Sequence, residues 1–247
     1  MNQTRAPGRI IRSILFDLDG TLVDSARITC AIIDAMLAAR GATHTADPQL
    51  VRAMDGIGGE AMIAAVMGRH CRDPAEDIAE FRALHIVAAT PDDLAFPGAA
   101  HTLAALHSGG LRLAICSNKP QALCEKILGD LDLARHFGAI VGARPQLARK
   151  PAADPAVLAM AAIGADPATS LVVGDTLIDA ATALAAGVGM VLAGWGYGVA
   201  AALHEMPGLP VLQSLNDLLV LAGPAGKIPS AWMLQPALTA SDPTSSR

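Results

Sequence analysis

Five short apolar runs, at residues 10–18, 111–116, 139–142, 171–174 and 189–193, constrain the fold of this chain more than any other feature. Each is too short for a typical helix, and most end at a polar residue or a glycine, which suits buried strands. Between the later runs lie segments of helical character at 99–108, 121–128, 156–163 and 180–186. Each is closely followed by a glycine: Gly109, Gly129, Gly164 and Gly187. A glycine there supplies the left-handed residue that ends a helix. Strands alternating with helices imply right-handed βαβ crossovers, and therefore an α/β fold: a Rossmann-like, mainly parallel sheet covered on both faces.

Residues 25–96 break this rhythm. They contain no convincing strand, only helical periodicity such as Ile28, Ile32 and Met36, a stop at Gly41, and breaks at Pro48, Pro74 and Pro91. The expectation is an α/β core formed by residues 10–24 and 97–222, with a small α-helical cap inserted at 25–96. The insertion follows the first strand, where it can cover the carboxyl ends of the strands, the usual location of ligand sites in open α/β sheets. Residues 223–247, rich in Pro, Ser, Thr and Ala without an amphipathic period, read as a flexible tail.

Composition narrows the partners. Apolar residues make up 52% of the chain and aromatics only 3%, so the core must be built from Ala, Leu, Ile and Val. The net charge of −5, with Lys and Arg scattered, offers no basic field for a polyanion, and nucleic acid is not an expected partner. The N-terminal stretch is polar and no apolar run is long enough to cross a bilayer, so neither a signal peptide nor a membrane partner is expected. Cys30, Cys71, Cys116 and Cys124 form no CxxC pair and read as buried thiols of a reducing compartment, which suits a cytoplasmic protein. The oligomeric state is left open.

The densest chemical signal is Asp17-Leu18-Asp19-Gly20-Thr21-Leu22-Val23-Asp24, at the end of the first apolar run. Carboxylates two apart on an extended chain share one face, so Asp17 and Asp19 point into one crevice unless the backbone turns between them. A second signal, Gly174-Asp175-Thr176-Leu177-Ile178-Asp179, again follows a strand-like run. Adjacent parallel strands would bring Asp175 close to Asp17, and carboxylates about 4 Å apart repel by roughly 4 kcal/mol at an effective dielectric near 20. Such a cluster either takes up protons or holds a cation. Oxygen donors favour a hard ion, and the few carboxylates favour Mg2+ over Ca2+; zinc is disfavoured because no His or Cys is expected near these strand ends. Ser117-Asn118-Lys119 and Lys150-Pro151 offer a hydroxyl, an amide and an ammonium near the same sheet edge. Each segment alone also has an ordinary structural reading as a turn, a helix cap or a solvated lysine.

In order, the strand ends carry DxDGTxxD, SN, K and GDxxxD, a pattern that strongly resembles the haloacid dehalogenase superfamily over residues 10–198. The resemblance implies that Asp17 is the nucleophile, forming an aspartyl phosphate, and that Asp19 is general acid and then base. It implies a Mg2+ held by Asp17, Asp175 and the Asp19 carbonyl, with Asp179 behind them. Ser117 and Lys150 would hold phosphoryl oxygens, Thr21 would orient the first loop and Asn118 would support the phosphate side. Asp19 argues against dehalogenation proper, and the absence of Lys from 25–96 argues against phosphonate hydrolysis through a Schiff base. Asp-Gly-Thr-Leu-Val-Asp-Ser at 19–25, Ser-Asn-Lys-Pro at 117–120, Phe-Pro-Gly at 96–98 and Gly-Trp-Gly-Tyr-Gly at 194–198 resemble the phosphoglycolate phosphatase branch. The implied partner is a small phosphorylated metabolite, with 2-phosphoglycolate foremost. Alternatives are a sugar-phosphate phosphatase, a phosphomutase, or a non-catalytic phosphate-binding module. Gly56-Ile57-Gly58-Gly59-Glu60 departs from the branch's common Gly-Asn-Gly form, and Ala153 stands where Pro is frequent. Neither glycine-rich stretch fits a dinucleotide loop. Arg52 and Arg69 could meet a substrate carboxylate but read more simply as solvated, and the seven histidines show no metal spacing.

Overall fold

The computed structural model describes residues 10–54, 56–57 and 59–222. The expected tail at 223–247 lies outside the described residues. Strands β1 (Ser13–Phe16), β2 (Arg112–Pro120), β3 (Ala139–Ala143), β4 (Ser170–Gly174), β5 (Gly189–Ala193) and β6 (Val211–Leu212) form one six-stranded sheet in the order β3-β2-β1-β4-β5-β6. Every pairing is parallel. From β1 the chain builds outward to β3 on one side, then returns to β4 beside β1 and builds to β6 on the other. The strand order therefore reverses between β1 and β4, the position at which open α/β sheets leave a crevice for ligands. In register, Phe16 lies opposite both Ile115 and Val173, so the residues that follow each strand emerge side by side.

Side-chain alternation along the strands divides the interior into two layers. Ile14 and Phe16 of β1, Leu113 and Ile115 of β2, and Leu171 and Val173 of β4 face a layer completed by α5 (Ala99–Ser108) and α6 (Gln121–Asp130). Leu15, Ala114 and Val172 face the opposite layer, completed by α7 (Asp154–Ala162), α8 (Leu177–Ala185) and α9 (Val199–Glu205). That second layer is lined by Ala156, Ala159, Ala180, Ala183 and Ala202, all fully buried, so these helices lie close against the sheet.

Two of the expected helix stops are left-handed glycines, Gly164 at φ 61° and Gly187 at φ 69°. The other two differ. After α5 the left-handed residue is Gly110, not Gly109, and α6 continues through Gly129 to Asp130, so that Asp132 at φ 56° makes the turn. Strand β6 and the 3-10 helix at Leu215–Ala222 were not read from the sequence.

Between β1 and α5 the described residues form α1 (Ala26–Ala39), α2 (Pro48–Met54), α3 (Gly59–Met67) and α4 (Pro74–Val87). The two connections to the sheet run side by side, with Asp24 N–H donating to Leu94 O and Phe96 N–H to Leu22 O, both at 2.9 Å. Helix α1 turns Ile28, Ile32, Ile33, Met36 and Leu37 inward. Helix α4 starts at Asp73, whose carboxylate accepts from the N–H groups of Ala75 and Glu76, with Pro74 at its first position. The Arg40 guanidinium, itself nearly buried, ties α1 to α4 through Asp77 at 2.7 Å and Glu80 at 2.6 Å. Hydrogen bonding from Arg40 outweighs burial and holds the Asp77 carboxyl down at about 2. Among the described residues, no helix is long and apolar enough to cross a membrane.

Candidate active site

The chain brings the four motif segments to one edge of the sheet. Asp17 follows β1, Ser117, Asn118 and Lys119 lie in the last part of β2, Lys150 precedes α7, and Asp175 follows β4. Asp17, Asp19, Ser117, Asn118, Lys119 and Lys150 line one cavity, roofed by Val51, Met62, Ile78, Phe81, Arg82 and His85 from the helical insertion.

Asp17, Asp175 and Asp179 are buried, and one carboxylate oxygen of each lies within 4.8 Å of those of the others. The Lys150 ammonium, also buried, sits 3.0 Å from Asp17 Oδ1 and 2.6 Å from Asp179 Oδ1. Its position beside Asp17 is a charge contact without hydrogen-bond alignment, and among the described residues Asp17 Oδ1 has no aligned hydrogen-bond partner. Burial pushes Asp17 up to about 6; Lys150 opposes the rise, while Asp179 and Asp19 add to it. Burial, then Asp179 and Asp17, push Asp175 up to about 7. Burial alone would strip the proton from Lys150, yet Asp17 and Asp179 hold it well above its ordinary value. One ammonium thus faces three carboxylates, two of which resist ionisation as they stand. An all-oxygen donor set with an open carboxylate oxygen fits a hard divalent cation such as Mg2+.

The remaining contacts fix these groups. Asp175 accepts from Tyr197 N–H at 2.7 Å, Gly198 N–H at 3.3 Å and the Thr21 hydroxyl at 3.1 Å. Thr21 is therefore packed against a carboxylate, away from the cavity lining. Gly20, at φ 72°, passes so close that a Cβ there would lie 2.5 Å from Asp175 Oδ2, which explains glycine at this turn. Asp179 and Thr176 form a reciprocal cap at the start of α8, with the Thr176 hydroxyl donating to Asp179 Oδ2 at 2.6 Å. The Asn118 side chain grips the backbone of Lys150 from both sides: its amide donates to Lys150 O at 3.0 Å, and its oxygen accepts Lys150 N–H at 2.9 Å. Ser117 is buried, and its hydroxyl accepts Lys119 N–H at 3.3 Å.

Asp19 stands apart from the acidic cluster. Burial favours its neutral form, but the Lys119 ammonium at 2.9 Å and the Ser25 hydroxyl outweigh burial and hold the carboxyl below its ordinary range. Sequence reasoning gave Lys119 no part. A register shift at the end of β2, between Cys116 and Pro120, is what turns this stretch toward Asp19. Tyr197, the single tyrosine, was also missed: its hydroxyl donates to Asp24 at 2.6 Å and accepts Ala26 N–H at 3.2 Å. Arg52 does not line the cavity; it lies 3.2 Å from Asp24 and over the Tyr197 ring. Arg69 stays exposed beside His70. The expectation that no His or Cys lies near the strand ends is corrected. Cys116 adjoins Ser117, its thiol pushed up to about 12 by burial, and His85 reaches the cavity from α4. Among the described residues, the side chains placed to share one ion are carboxylates alone, so the preference for oxygen donors stands on that ground. The one sequence signal for His85 is its place with Ile78 and Phe81 on the buried stripe of α4, which does not by itself carry its reach into the cavity.

A family model of the haloacid dehalogenase-like hydrolases matches residues 11–187. The chain belongs to this family. The hydrolase is 35% identical over 237 residues to a phosphoglycolate phosphatase of Salmonella paratyphi A, covering 86% of this chain and 93% of that one. It is 34% identical over 187 residues to a phosphoglycolate phosphatase of Aquifex aeolicus, covering 76% and 86%. Among solved structures, a predicted phosphoglycolate phosphatase from Haemophilus somnus superposes with a TM-score of 0.73 over 86% of this hydrolase and 98% of that chain. Their identity is 22%, so this likeness speaks to the fold alone.

Proposed function

We propose that this hydrolase is a Mg2+-dependent phosphatase that cleaves a small phosphomonoester through an aspartyl phosphate on Asp17, with 2-phosphoglycolate as its leading substrate. The observation that carries the reading is the convergence of Asp17, Asp175 and Asp179 on one buried point opposite Lys150. Phosphoryl transfer depends on in-line placement and charge neutralisation, and the clustered carboxylates and the Lys150 ammonium support the second. The names of the curated relatives support the substrate.

In this reading Asp17, Asp175 and the Asp19 carbonyl hold Mg2+, which neutralises phosphoryl charge when bound. Asp179 keeps its place behind them and anchors Lys150. Asp17 attacks phosphorus, Lys150 and Ser117 receive phosphoryl oxygens, and Asp19 gives a proton to the leaving alcohol oxygen. In the second half Asp19 takes a proton from the water that opens the acyl phosphate. Its partner Lys119 holds it ionised, the form the second half needs. An arriving phosphoryl dianion gives that ammonium a competing partner and lets Asp19 take up the proton the first half needs. Asn118 acts by holding Lys150 at its backbone. The helical insertion at 25–96 serves as the cap, joined to the core by the paired segments around Val23 and Ala95.

The test is release of inorganic phosphate from 2-phosphoglycolate and a generic aryl phosphate, with Mg2+ or with EDTA. Turnover requires Mg2+ and is abolished in Asp17→Asn while the circular dichroism spectrum persists. Full activity in D17N would refute the nucleophile, and full activity in EDTA would refute the metal.

A further inference from the structure

His85 is a buried side chain in which neither ring nitrogen has a hydrogen-bond partner among the described residues. Buried polar groups are paired in the great majority of cases, and an unpaired one facing a cavity needs an explanation. His85 lies on the cavity wall. Its ring packs edge-on to Phe81 at 5.5 Å between centroids, and the roof around it carries the apolar Val51, Met62 and Ile78, with Arg82 as its charged member. The charged groups that reach it are Lys119, Asp19 and Lys126. Burial, then the Lys119 ammonium, holds its pKa at about 3, so near neutrality one ring nitrogen donates and the other accepts.

Its place in the cavity says which part of a substrate it meets. The phosphoryl group belongs at the sheet edge, among Asp17, Ser117 and Lys150. In this reading the leaving oxygen belongs at Asp19, and His85, on α4 of the insertion, lines the same cavity within reach of the Asp19 charge. An atom there belongs to the alcohol portion. An unpaired imidazole in a roof whose charged member, Arg82, also favours an oxygen rewards an oxygenated group at that point, and a plain alkyl group leaves the imidazole unpaired.

We propose that His85 is a specificity-determining residue that hydrogen-bonds an oxygen of the leaving alcohol, a carbon or two from the ester oxygen, and so selects phosphomonoesters of small oxygenated alcohols, hydroxy acids among them, over plain alkyl phosphates. This rests on the phosphatase reading above. It assigns a task to a residue on α4, a helix of the insertion.

The experiment compares kcat/KM for 2-phosphoglycolate and ethyl phosphate in the wild type, His85→Leu and His85→Gln. Both leaving groups are primary alcohols that take their proton from Asp19, so their ratio isolates the carboxylate that replaces a methyl group. The ratio falls about 10- to 100-fold in H85L, the worth of one buried hydrogen bond, and is partly restored in H85Q, whose amide can donate and accept. Thermal melting of H85L is no lower than that of the wild type, because no protein partner is lost; if H85L fails to fold, His85→Phe carries the same comparison. An unchanged ratio, or an equal loss on both esters, overturns the assignment while leaving the phosphatase reading intact. A wild-type protein that hydrolyses neither ester overturns the phosphatase reading and this inference with it.

Discussion

Neutralising Asp17 should stabilise the metal-free protein at alkaline pH. Burial raises this carboxyl from 3.8 to about 6 even though Lys150 lies 3.0 Å away. A carboxyl whose folded-state pKa is raised contributes its full share of stability below its unfolded value and loses it as pH climbs through the folded value. At about 1.4 kcal/mol per pH interval, Asp17→Asn should gain roughly 2–3 kcal/mol on the wild type between about pH 4 and pH 8. Asp17 is also one cause of the rise at Asp175, so relief there adds to the gain. His85, held at about 3, gives the opposite slope, since a base with a lowered pKa regains stability as pH rises through its unfolded value; it cancels in the comparison of variants. Urea unfolding at both pH values in EDTA, followed by far-ultraviolet circular dichroism, measures the difference. Adding Mg2+ at about a hundred times its dissociation constant should stabilise the wild type by about 2.7 kcal/mol and cancel most of the variant's advantage. A difference between the two proteins that stays constant from pH 4 to pH 8, or grows in favour of the wild type, would refute the reasoning.

Asn118→Ala removes both hydrogen bonds that grip the Lys150 backbone, and kcat should fall about 10- to 100-fold with little change in melting temperature. Steady-state kinetics beside a thermal melt checks this, and full activity would show that Lys150 is held by other means. Arg40→Met leaves Asp77 buried without its guanidinium, and unfolding free energy should drop by about 3–5 kcal/mol. Urea titration measures it, with Asp77→Asn in the same chain expected to recover part of the loss.

The α/β frame was legible because β1, β3, β4 and β5 are apolar runs flanked by glycine or polar residues, a pattern set by burial on both faces of a parallel sheet. Strand β6 was not, because Val211 and Leu212 are too few to show a period. The acidic cluster was legible for the same reason as the strands: once β1 and β4 are neighbours, the residues after them have to meet. Lys119 and His85 were not read from the sequence. The direction of Lys119 depends on an irregularity in β2, and the reach of His85 depends on how α4 lies over the sheet, neither of which local sequence encodes. Gly109 and Gly129 show the limit of a local rule, since tertiary packing decides which of several candidate residues makes the turn.

The alanine-lined layer beneath α7 and α8 has a consequence at the opposite end of those helices. Lys150 leads into α7 and Asp179 lies on the first turn of α8, so their 2.6 Å contact spans two rods whose seating depth is fixed by Ala156, Ala159, Ala180 and Ala183. Methyl groups act here as shims. Enlarging any of them should lift one rod relative to the other and misalign the Lys150 ammonium with the Asp179 carboxylate, so the tolerances of this pair are written into the small side chains beneath it.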